Sequence, residues 1–277
     1  MMAGGVDWSG PTRQPCPDCG RGPKDKTCGV TIDERGGVAH CHRCGYVENC
    51  RNSEFKTLRC RDVQSWPGAP QAPIRRAGLS EFGAALWRAS RPLAREALGY
   101  LQARCCVIPP EDGDLRYHPA LKHPPSGLVG PALVALVTAA VTREPISLHR
   151  TWIRADGNKA ALDPPRMLLG GHCKQGGVVR LWPDEGVTLG LSIGEGIETA
   201  LSMARQYTPV WSAIDAGNLA ALPVLAGIET LVIGADHDEA GLKAATACAD
   251  RWAAAGVEVH VIAPDRERTD WNERPVA

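Results

Sequence analysis

Two Cys-x-x-Cys pairs constrain the start of this 277-residue chain more than any other feature: Cys16/Cys19 and Cys41/Cys44, each followed by Gly. Two residues between thiolates let both sulfur atoms of a tight turn face one ion, and the Gly permits the positive φ of that turn. Two such turns, brought together by a hairpin, complete the tetrahedral coordination of zinc. The pairs therefore predict one structural Zn²⁺ site, which has no open position for chemistry.

The other potential ligands fit such a site less well. Cys28, Cys50 and Cys60 have no partner at the same spacing, and neither His40 nor His42 fits a paired geometry as well as the cysteines do. The opening residues, MMAGGVDW, lack the basic and then apolar pattern of a secretory signal. We therefore expect a reducing cytoplasm, where paired cysteines bind metal more often than they form disulfides. The cysteines expected to be unligated and buried are Cys105, Cys106, Cys173 and Cys248.

Composition and patterning divide the chain into four segments. Residues 1–62 hold seven of the 11 cysteines and can build only a small core, so we expect metal to hold them together. Residues 63–76 contain WPGAPQAP, which is typical of an extended Pro-rich linker. Residues 77–186 carry a basic excess, and residues 187–277 alternate strands with helices. The longest apolar stretch, Pro131–Val141, is about half of a membrane-spanning helix, which argues against an integral membrane protein.

The basic segment has recognisable local patterns. We expect one helix with Ser80 as its N-cap and a second helix that starts at Pro92. Residues 107–130, with five Pro and three Gly, are expected to be loop-like. The β-prone runs that predict strands are Val30–Ile32 and Val38–His40 in the N-terminal hairpin, and then Ala132–Val141, Ile146–Ile153 and Val178–Leu181.

The last segment predicts an α/β fold. Helices are expected directly after the first strand, around Leu219–Leu225 and over Glu239–Ala255. Such alternation predicts a mostly parallel sheet covered by helices on both faces, with ligand sites at the carboxyl ends of the strands. The predicted strands are VTLGLSI (187–193), PVWSAI (209–214), IETLVIGA (228–235) and VEVHVIA (257–263).

Acidic side chains follow two strands of this predicted sheet. Glu195 lies between glycines after the first strand, and Asp236 and Asp238 follow the third. Aspartates two residues apart on an extended turn point the same way and can share one hard cation, with Glu195 closing the site or serving as a general base. A third acidic turn begins at Asp270. The alternative is that Glu195 and Asp238, which each precede a helix, are caps favoured by the helix dipole.

The balanced charge of the chain, 31 Lys+Arg against 31 Asp+Glu, conceals a gradient. Residues 75–182 carry 15 basic and 8 acidic side chains, or +7, whereas residues 183–277 carry 6 basic and 15 acidic, or −9. A basic segment suits a polyanion and an acidic one suits cations, although solvated surface charge would give the same totals.

The two acidic motifs, Gly194-Glu-Gly-x-Glu-Thr-Ala-Leu and Asp236-x-Asp-x-Ala-Gly, resemble the Toprim domain of bacterial-type primases, topoisomerases and certain nucleases. With a four-cysteine zinc ribbon in front, the chain is similar to phage- and plasmid-type DNA primases over roughly residues 16–273. Three further segments are similar to the region that precedes Toprim in that group: LRYHPAL (115–121), LHRTWIRADGNKA (148–160) and PPRMLLGG (164–171).

This resemblance implies an α/β fold in which the zinc ribbon precedes a primase-type RNA polymerase domain containing the Toprim parallel sheet. It implies synthesis of short RNA primers from NTPs on a single-stranded DNA template, a nucleotidyl transfer assisted by Mg²⁺ or Mn²⁺. By the same resemblance Glu195, Asp236 and Asp238 are the catalytic and metal-binding acids, and Asp270 is a further metal ligand. The zinc ribbon would read the initiation site on the template.

Two features depart from that family's pattern. The acid that replicative primases often carry four residues after the glutamate is replaced by Thr199, and an acid lies at Glu198 instead. No helicase domain follows in this chain, so we expect a replicative helicase to act in trans, in the cytoplasm of a bacterial or phage-infected cell.

The resemblance also gives the basic segment a role. Arg150, Lys159 and Arg166 all lie within the matched segments and are expected to hold the template backbone or the incoming triphosphate, with Lys159 and Arg166 as the preferred pair. For each of them a solvated surface charge is the alternative. Further candidates for phosphate are Lys174 and Arg180, and for base stacking Trp152 and Trp182, where core packing is the simpler interpretation.

Two other functions would use the same parts. A non-catalytic recombination mediator joins a four-cysteine zinc site to a Toprim fold, but it has no need of Glu195, Asp236 and Asp238 together and lacks the basic segment between the two. A Toprim nuclease would use the same acids to cleave DNA, although a zinc ribbon and a basic segment favour polymerisation. A topoisomerase is disfavoured, since the chain has only four Tyr and no large strand-passage region around them.

Overall fold

The computed structural model of the chain describes residues 6–8, 13–20, 22, 25–33, 36–41, 43–44, 46–51 and 78–264. Contacts divide the chain into two compact units, Met1–Ala72 and Pro73–Ala277. The predicted linker 63–76, Cys60 and Asp270 lie outside the described residues.

The first unit is a four-stranded antiparallel sheet in the order β1-β2-β3-β4. In its central hairpin Val30 pairs with Ala39 and Thr31 with Val38, which confirms the predicted hairpin. The buried residues of this unit form a small cluster around the cysteines, as its composition predicted. Its strands are β1 (Arg13–Gln14), β2 (Cys28–Asp33), β3 (Gly36–Cys41) and β4 (Val47–Arg51).

The second unit begins with two helices and an antiparallel sheet in the order β5-β6-β7-β8, with β9 paired to β6. Ser80 caps the first helix as predicted, because its side chain accepts a hydrogen bond from the backbone N–H of Gly83. The elements are α1 (Glu81–Ala89), α2 (Glu96–Ala103), β5 (Leu115–Lys122), β6 (Val129–Ala139), β7 (Pro145–Trp152), β8 (Arg166–Leu168) and β9 (Gly177–Val178).

Two sequence predictions in this region are wrong. The second helix begins at Glu96 rather than at Pro92, because Arg91 exchanges two backbone hydrogen bonds with Tyr117 and the chain there is extended. Residues 107–130 are not all loop, since β5 lies within them. Pro119 concealed that strand: it falls where the register with β6 shifts, the kind of irregularity that tolerates a missing N–H.

The unit ends in a four-stranded sheet, in the order β11-β10-β12-β13, in which every described pair of strands is parallel. This confirms the predicted parallel α/β architecture, and helices pack on both of its faces. The short helix begins at Ala216 rather than at Leu219, because Asp215 caps it by accepting from the N–H of Asn218. The elements are β10 (Gly190–Gly194), α3 (Ile197–Met203), β11 (Val210–Ser212), α4 (Ala216–Ala220), β12 (Thr230–Gly234), α5 (Glu239–Ala254) and β13 (Glu258–Ile262).

One hydrophobic core joins this parallel sheet to the basic segment. Tyr100 and Leu101 of α2 are packed in the same cluster as Val137 of β6, Leu201 of α3 and Val210 of β11. All five side chains are fully buried. Burial at this level fixes the two sheets of the unit against each other and so fixes what lies between them. None of the described helices is long and apolar enough to cross a bilayer.

Gly194 permits the tight approach of α3 to the end of β10. A Cβ added at Gly194 would lie 2.6 Å from the backbone nitrogen of Ala200, an atom that cannot move aside without shifting the helix. We expect Gly194→Ala to lower the free energy of unfolding by about 1–3 kcal/mol, measured by urea denaturation. Gly190→Ala in the same strand is the matched control, because the nearest atom to its added Cβ is 4.0 Å away. Equal stability of the two variants would contradict this account.

Candidate functional site

The four cysteines of the two Cys-x-x-Cys pairs converge in the first unit. The sulfur atoms of Cys16, Cys19, Cys41 and Cys44 all lie within 4.8 Å of one another, and the Cys16–Cys44 and Cys19–Cys41 separations are both 3.6 Å. Tetrahedral zinc with Zn–S bonds of about 2.3 Å requires sulfur atoms about 3.8 Å apart, so the donor set and its spacing fit Zn²⁺.

Backbone amides prepare these sulfurs for a cation. The N–H groups of Asp18 and Arg43 point at the sulfur atoms of Cys16 and Cys41, each at 3.4 Å. Burial would raise the pKa of Cys41, but the amides of Cys44 and Arg43 outweigh it and hold that pKa at about 6. Cys41 therefore favours the thiolate form that metal requires.

A side-chain clamp joins the two turns. Arg43 donates to the carbonyl of Cys19 at 3.0 Å and forms an ion pair with Asp25 at 2.8 Å. The two turns are thus also linked by a contact that does not involve the sulfurs. Cys28 is fully buried beside this cluster and is not a member of it.

A second site lies in the other unit, in a polar cavity of about 370 Å³ between the parallel sheet and the antiparallel sheet. One group of its lining residues is acidic and the other is basic. The acids are Glu195, Glu198, Asp215 and Asp236, and the cations are Arg104, Lys159 and Arg166.

Glu195 follows β10 directly, is half-buried and lines this cavity. Burial, followed by the charges of Asp236, Asp238 and Asp215, raises the pKa of its carboxyl to about 7. Carboxylates at the ends of neighbouring strands repel each other, and a bound divalent cation would relieve that repulsion. The donor set therefore fits Mg²⁺ or Mn²⁺.

The two aspartates after β12 are placed differently. Asp236 lines the cavity, and one of its oxygens accepts a hydrogen bond from the hydroxyl of Thr199 at 3.0 Å. Asp238 caps α5 by accepting from the N–H of Gly241 at 2.7 Å and does not line the cavity. Asp238 is therefore a helix cap whose charge acts on Glu195, and its role as a metal ligand stays a prediction.

These acids do not form a closed metal cage. Within the described residues, the four cysteines are the one group of three or more metal-ligating side chains whose donor atoms all lie within 4.8 Å. A cation at Glu195 and Asp236 would therefore be held by one or two carboxylates together with water or substrate oxygens, as is usual for Mg²⁺.

Sequence reasoning missed two acids of the cavity as site residues. Asp215 ends the turn after β11, where it caps α4 and forms an ion pair with Lys174. The rule that sites lie at strand ends could have found it. Glu198 was noted only as a departure from a family pattern. No pattern in the sequence indicates that it is buried beside Tyr100 and Lys159.

Two of the three residues predicted to contact phosphate line the cavity. Lys159 and Arg166 line the cavity, as does Arg104, which the sequence did not indicate. Arg150 does not line it: neighbouring residues of a strand point to opposite faces, and His149 faces the cavity. Arg150 is buried, donates to the carbonyl of Leu168 at 2.9 Å and lies over the ring of Trp152.

Two further candidates, Arg180 and Trp152, are engaged elsewhere. Arg180 is buried and binds Asp184 and the carbonyl of Ala140. Trp152 is a core residue whose indole N–H donates to the carbonyl of Leu121, as the simpler interpretation predicted.

Comparison with known protein families identifies one of these regions. Residues 190–277 match the family described as Toprim domain, and residues 77–181 match a family described as Domain of unknown function (DUF7146). The chain therefore contains a Toprim domain, which begins at β10 and includes Glu195, Asp236 and Asp238. No curated protein matches the chain.

Several solved structures are similar to the chain at low identity. A DNA primase domain from Pseudomonas aeruginosa is 13% identical, with a TM-score of 0.45 over 70% of this chain and 73% of that one. The primase fragment of the bacteriophage T7 primase-helicase protein is 20% identical, with a TM-score of 0.42 over 94% and 92%. The zinc-binding and RNA polymerase domains of the Aquifex aeolicus primase are 15% identical, with a TM-score of 0.43 over 90% and 75%.

Proposed function

We propose that this chain is a DNA primase, which synthesises short RNA primers from NTPs on single-stranded DNA. The observation that carries the proposal is the two-sided cavity, in which Glu195 and Asp236 of the Toprim domain share a space of about 370 Å³ with Lys159 and Arg166. Acids on one side and cations on the other suit a triphosphate bound with a divalent cation.

Each group has a role in the proposed reaction. The 3′-hydroxyl of the growing primer attacks the α-phosphorus of an incoming NTP, a phosphodiester bond forms and pyrophosphate leaves. Mg²⁺ or Mn²⁺, bound by Glu195 and Asp236 and influenced by the charge of Asp238, would neutralise the reacting phosphate and orient the hydroxyl. Lys159 and Arg166 would bind phosphate oxygens of the triphosphate. Glu195 lines the same cavity, and we assign it to accept the hydroxyl proton.

The zinc-binding unit supplies the second part of the proposal. Its four sulfurs form a closed site that organises a small sheet. We assign this unit to recognition of the template, Asp270 to the metal site as a further ligand, and unwinding to a helicase acting in trans.

A primer-synthesis assay tests the proposed function. Mixed-sequence single-stranded DNA is incubated with labelled NTPs and either Mg²⁺ or Mn²⁺, and the products are separated by length. We expect short, metal-dependent RNA products that require template. DNA binding without products in either metal would support the mediator alternative, and a shortened template would support the nuclease.

A further inference from the structure

A buried carboxylate in the wall of the cavity joins three parts of the second unit. Glu198, in the first turn of α3, is 6% exposed. One oxygen of its carboxylate accepts a hydrogen bond from the hydroxyl of Tyr100 on α2 at 2.8 Å. The same oxygen lies 3.5 Å from the ammonium nitrogen of Lys159, which follows β7.

Lys159 itself remains open to the cavity. Its side chain is 24% exposed and lines the same space as Glu195 and Asp236. Its ammonium group is paired with Glu198 and shares the cavity with Glu195 and Asp236. The direct ion pair is with Glu198, so a ligand entering the cavity meets an ammonium group that is already held at the wall.

The charges around Lys159 favour an acid beside it. Burial lowers the pKa of Lys159, and the neighbouring cations Arg166 and Arg104 lower it further, whereas Glu198 raises it. Burial would raise the pKa of Glu198, yet Lys159, Arg166 and the Tyr100 hydroxyl hold that pKa at about 2. His149 beside them is neutral, because burial lowers the pKa of its imidazole to about 4. Glu198 is thus the one acid within the described residues that hydrogen bonds or ion pairs place directly against Lys159.

We propose that Glu198 is a positioning residue, whose buried carboxylate holds the Lys159 ammonium at the cavity wall for contact with the phosphates of the incoming nucleotide. The inference rests on the proposed function, in which Lys159 binds the triphosphate. Glu198 does not touch the phosphates, since its charge would repel them. It acts through Lys159 alone.

A purely structural role for Glu198 predicts a different outcome. In that case its contact with Tyr100 would stabilise the packing of α2 against α3, and nucleotide binding would follow stability. Tyr100→Phe separates the two roles, because it removes the hydrogen bond but leaves the carboxylate and its pairing with Lys159. Glu229→Gln, at an exposed acid outside the cavity, is the control for loss of a charge.

The test is a double-mutant cycle of Glu198→Gln and Lys159→Met, read by calorimetric binding of MgATP to the full chain at pH 7 and pH 9. We expect Glu198→Gln to weaken binding about tenfold, the effect of losing one charge-assisted contact, and to weaken it further at pH 9. The sign follows because Lys159 without its acid loses its proton as the pH rises. Adding Glu198→Gln to Lys159→Met should change nothing, and Tyr100→Phe and Glu229→Gln should bind as the wild type does.

A second readout does not depend on activity. The ¹³C-methyl signal of reductively methylated Lys159, assigned by its loss in Lys159→Met, should titrate at lower pH in Glu198→Gln than in the wild type. If Glu198→Gln does not fold, Glu198→Asp keeps the charge and should bind more weakly with a flat pH profile.

The outcomes separate the two proposals. Wild-type binding in Glu198→Gln, additive effects in the cycle, or an unchanged Lys159 titration would each overturn the inference. If the wild-type chain binds no MgATP, the proposed function is refuted. If Glu198→Gln nevertheless lowers the pH at which Lys159 titrates, the pairing of Glu198 with Lys159 is supported.

Discussion

Primer synthesis is expected to fall by about a thousandfold when Asp236 is replaced by Ala, the rate equivalent of about 4 kcal/mol of lost charge stabilisation. Asp236 lines the cavity beside Glu195, and in the proposed function its oxygens hold the divalent cation. The measurement is the initial rate of labelled NTP incorporation on single-stranded DNA. Asp250→Ala is the control, because this acid lies exposed on α5 and does not line the cavity.

Asp238 requires a different substitution. Asp238→Ala would remove both its charge and the cap of α5, and loss of a cap alone costs about 1 kcal/mol of stability. Asp238→Asn keeps the cap, since Asn is as good a capping residue, and removes only the charge. We expect Asp238→Asn to lose synthesis while its thermal unfolding matches the wild type. Undiminished synthesis in both Asp236→Ala and Asp238→Asn would refute the proposed metal site.

Cys41→Ser is expected to abolish zinc binding and unfold the first unit, while the second unit stays folded. Cys41 is fully buried and supplies one of the four sulfurs. Binding energies for structural zinc are about 10–16 kcal/mol, far more than the small core of this unit can supply. Zinc measured by mass spectrometry should fall from about one ion per chain to none. Primer synthesis, where it persists, should lose its preference for template sequence.

Cys28→Ala is the matched control for that experiment. Cys28 is as buried as Cys41 and lies opposite it in the hairpin, but its sulfur is outside the cluster. The variant should keep its zinc. Equal zinc content in Cys41→Ser and in the wild type would refute the ligand assignment.

Much of the fold could be predicted because its signals are local. Spacing within each Cys-x-x-Cys turn is set by a few bonds, and Ser80 caps the helix that follows it directly. The parallel strands were predictable since buried strands are apolar runs between helices. Predictions failed where a distant partner decided the local structure, as at Arg91, which pairs with Tyr117 across the sheet.

The cavity was predictable only on its acidic side. Strand ends of a parallel sheet meet at one edge, so Glu195 and Asp236 could be brought together from the sequence. Which cations face them depends on how the antiparallel sheet packs against the parallel one. That packing includes Arg104 and excludes Arg150, and no pattern near either residue indicates it.

The sequence by itself determined the chemistry of this protein: four sulfurs for zinc, and carboxylates at the ends of parallel strands. Only the tertiary structure decided which cations share the cavity with those carboxylates and which buried acid pairs with Lys159. Glu198 shows the physical reason. Burial alone would raise the pKa of its carboxyl, and Lys159, Arg166 and the Tyr100 hydroxyl lower it instead. Which groups surround a buried carboxylate is decided by the packed core rather than by any local run of residues.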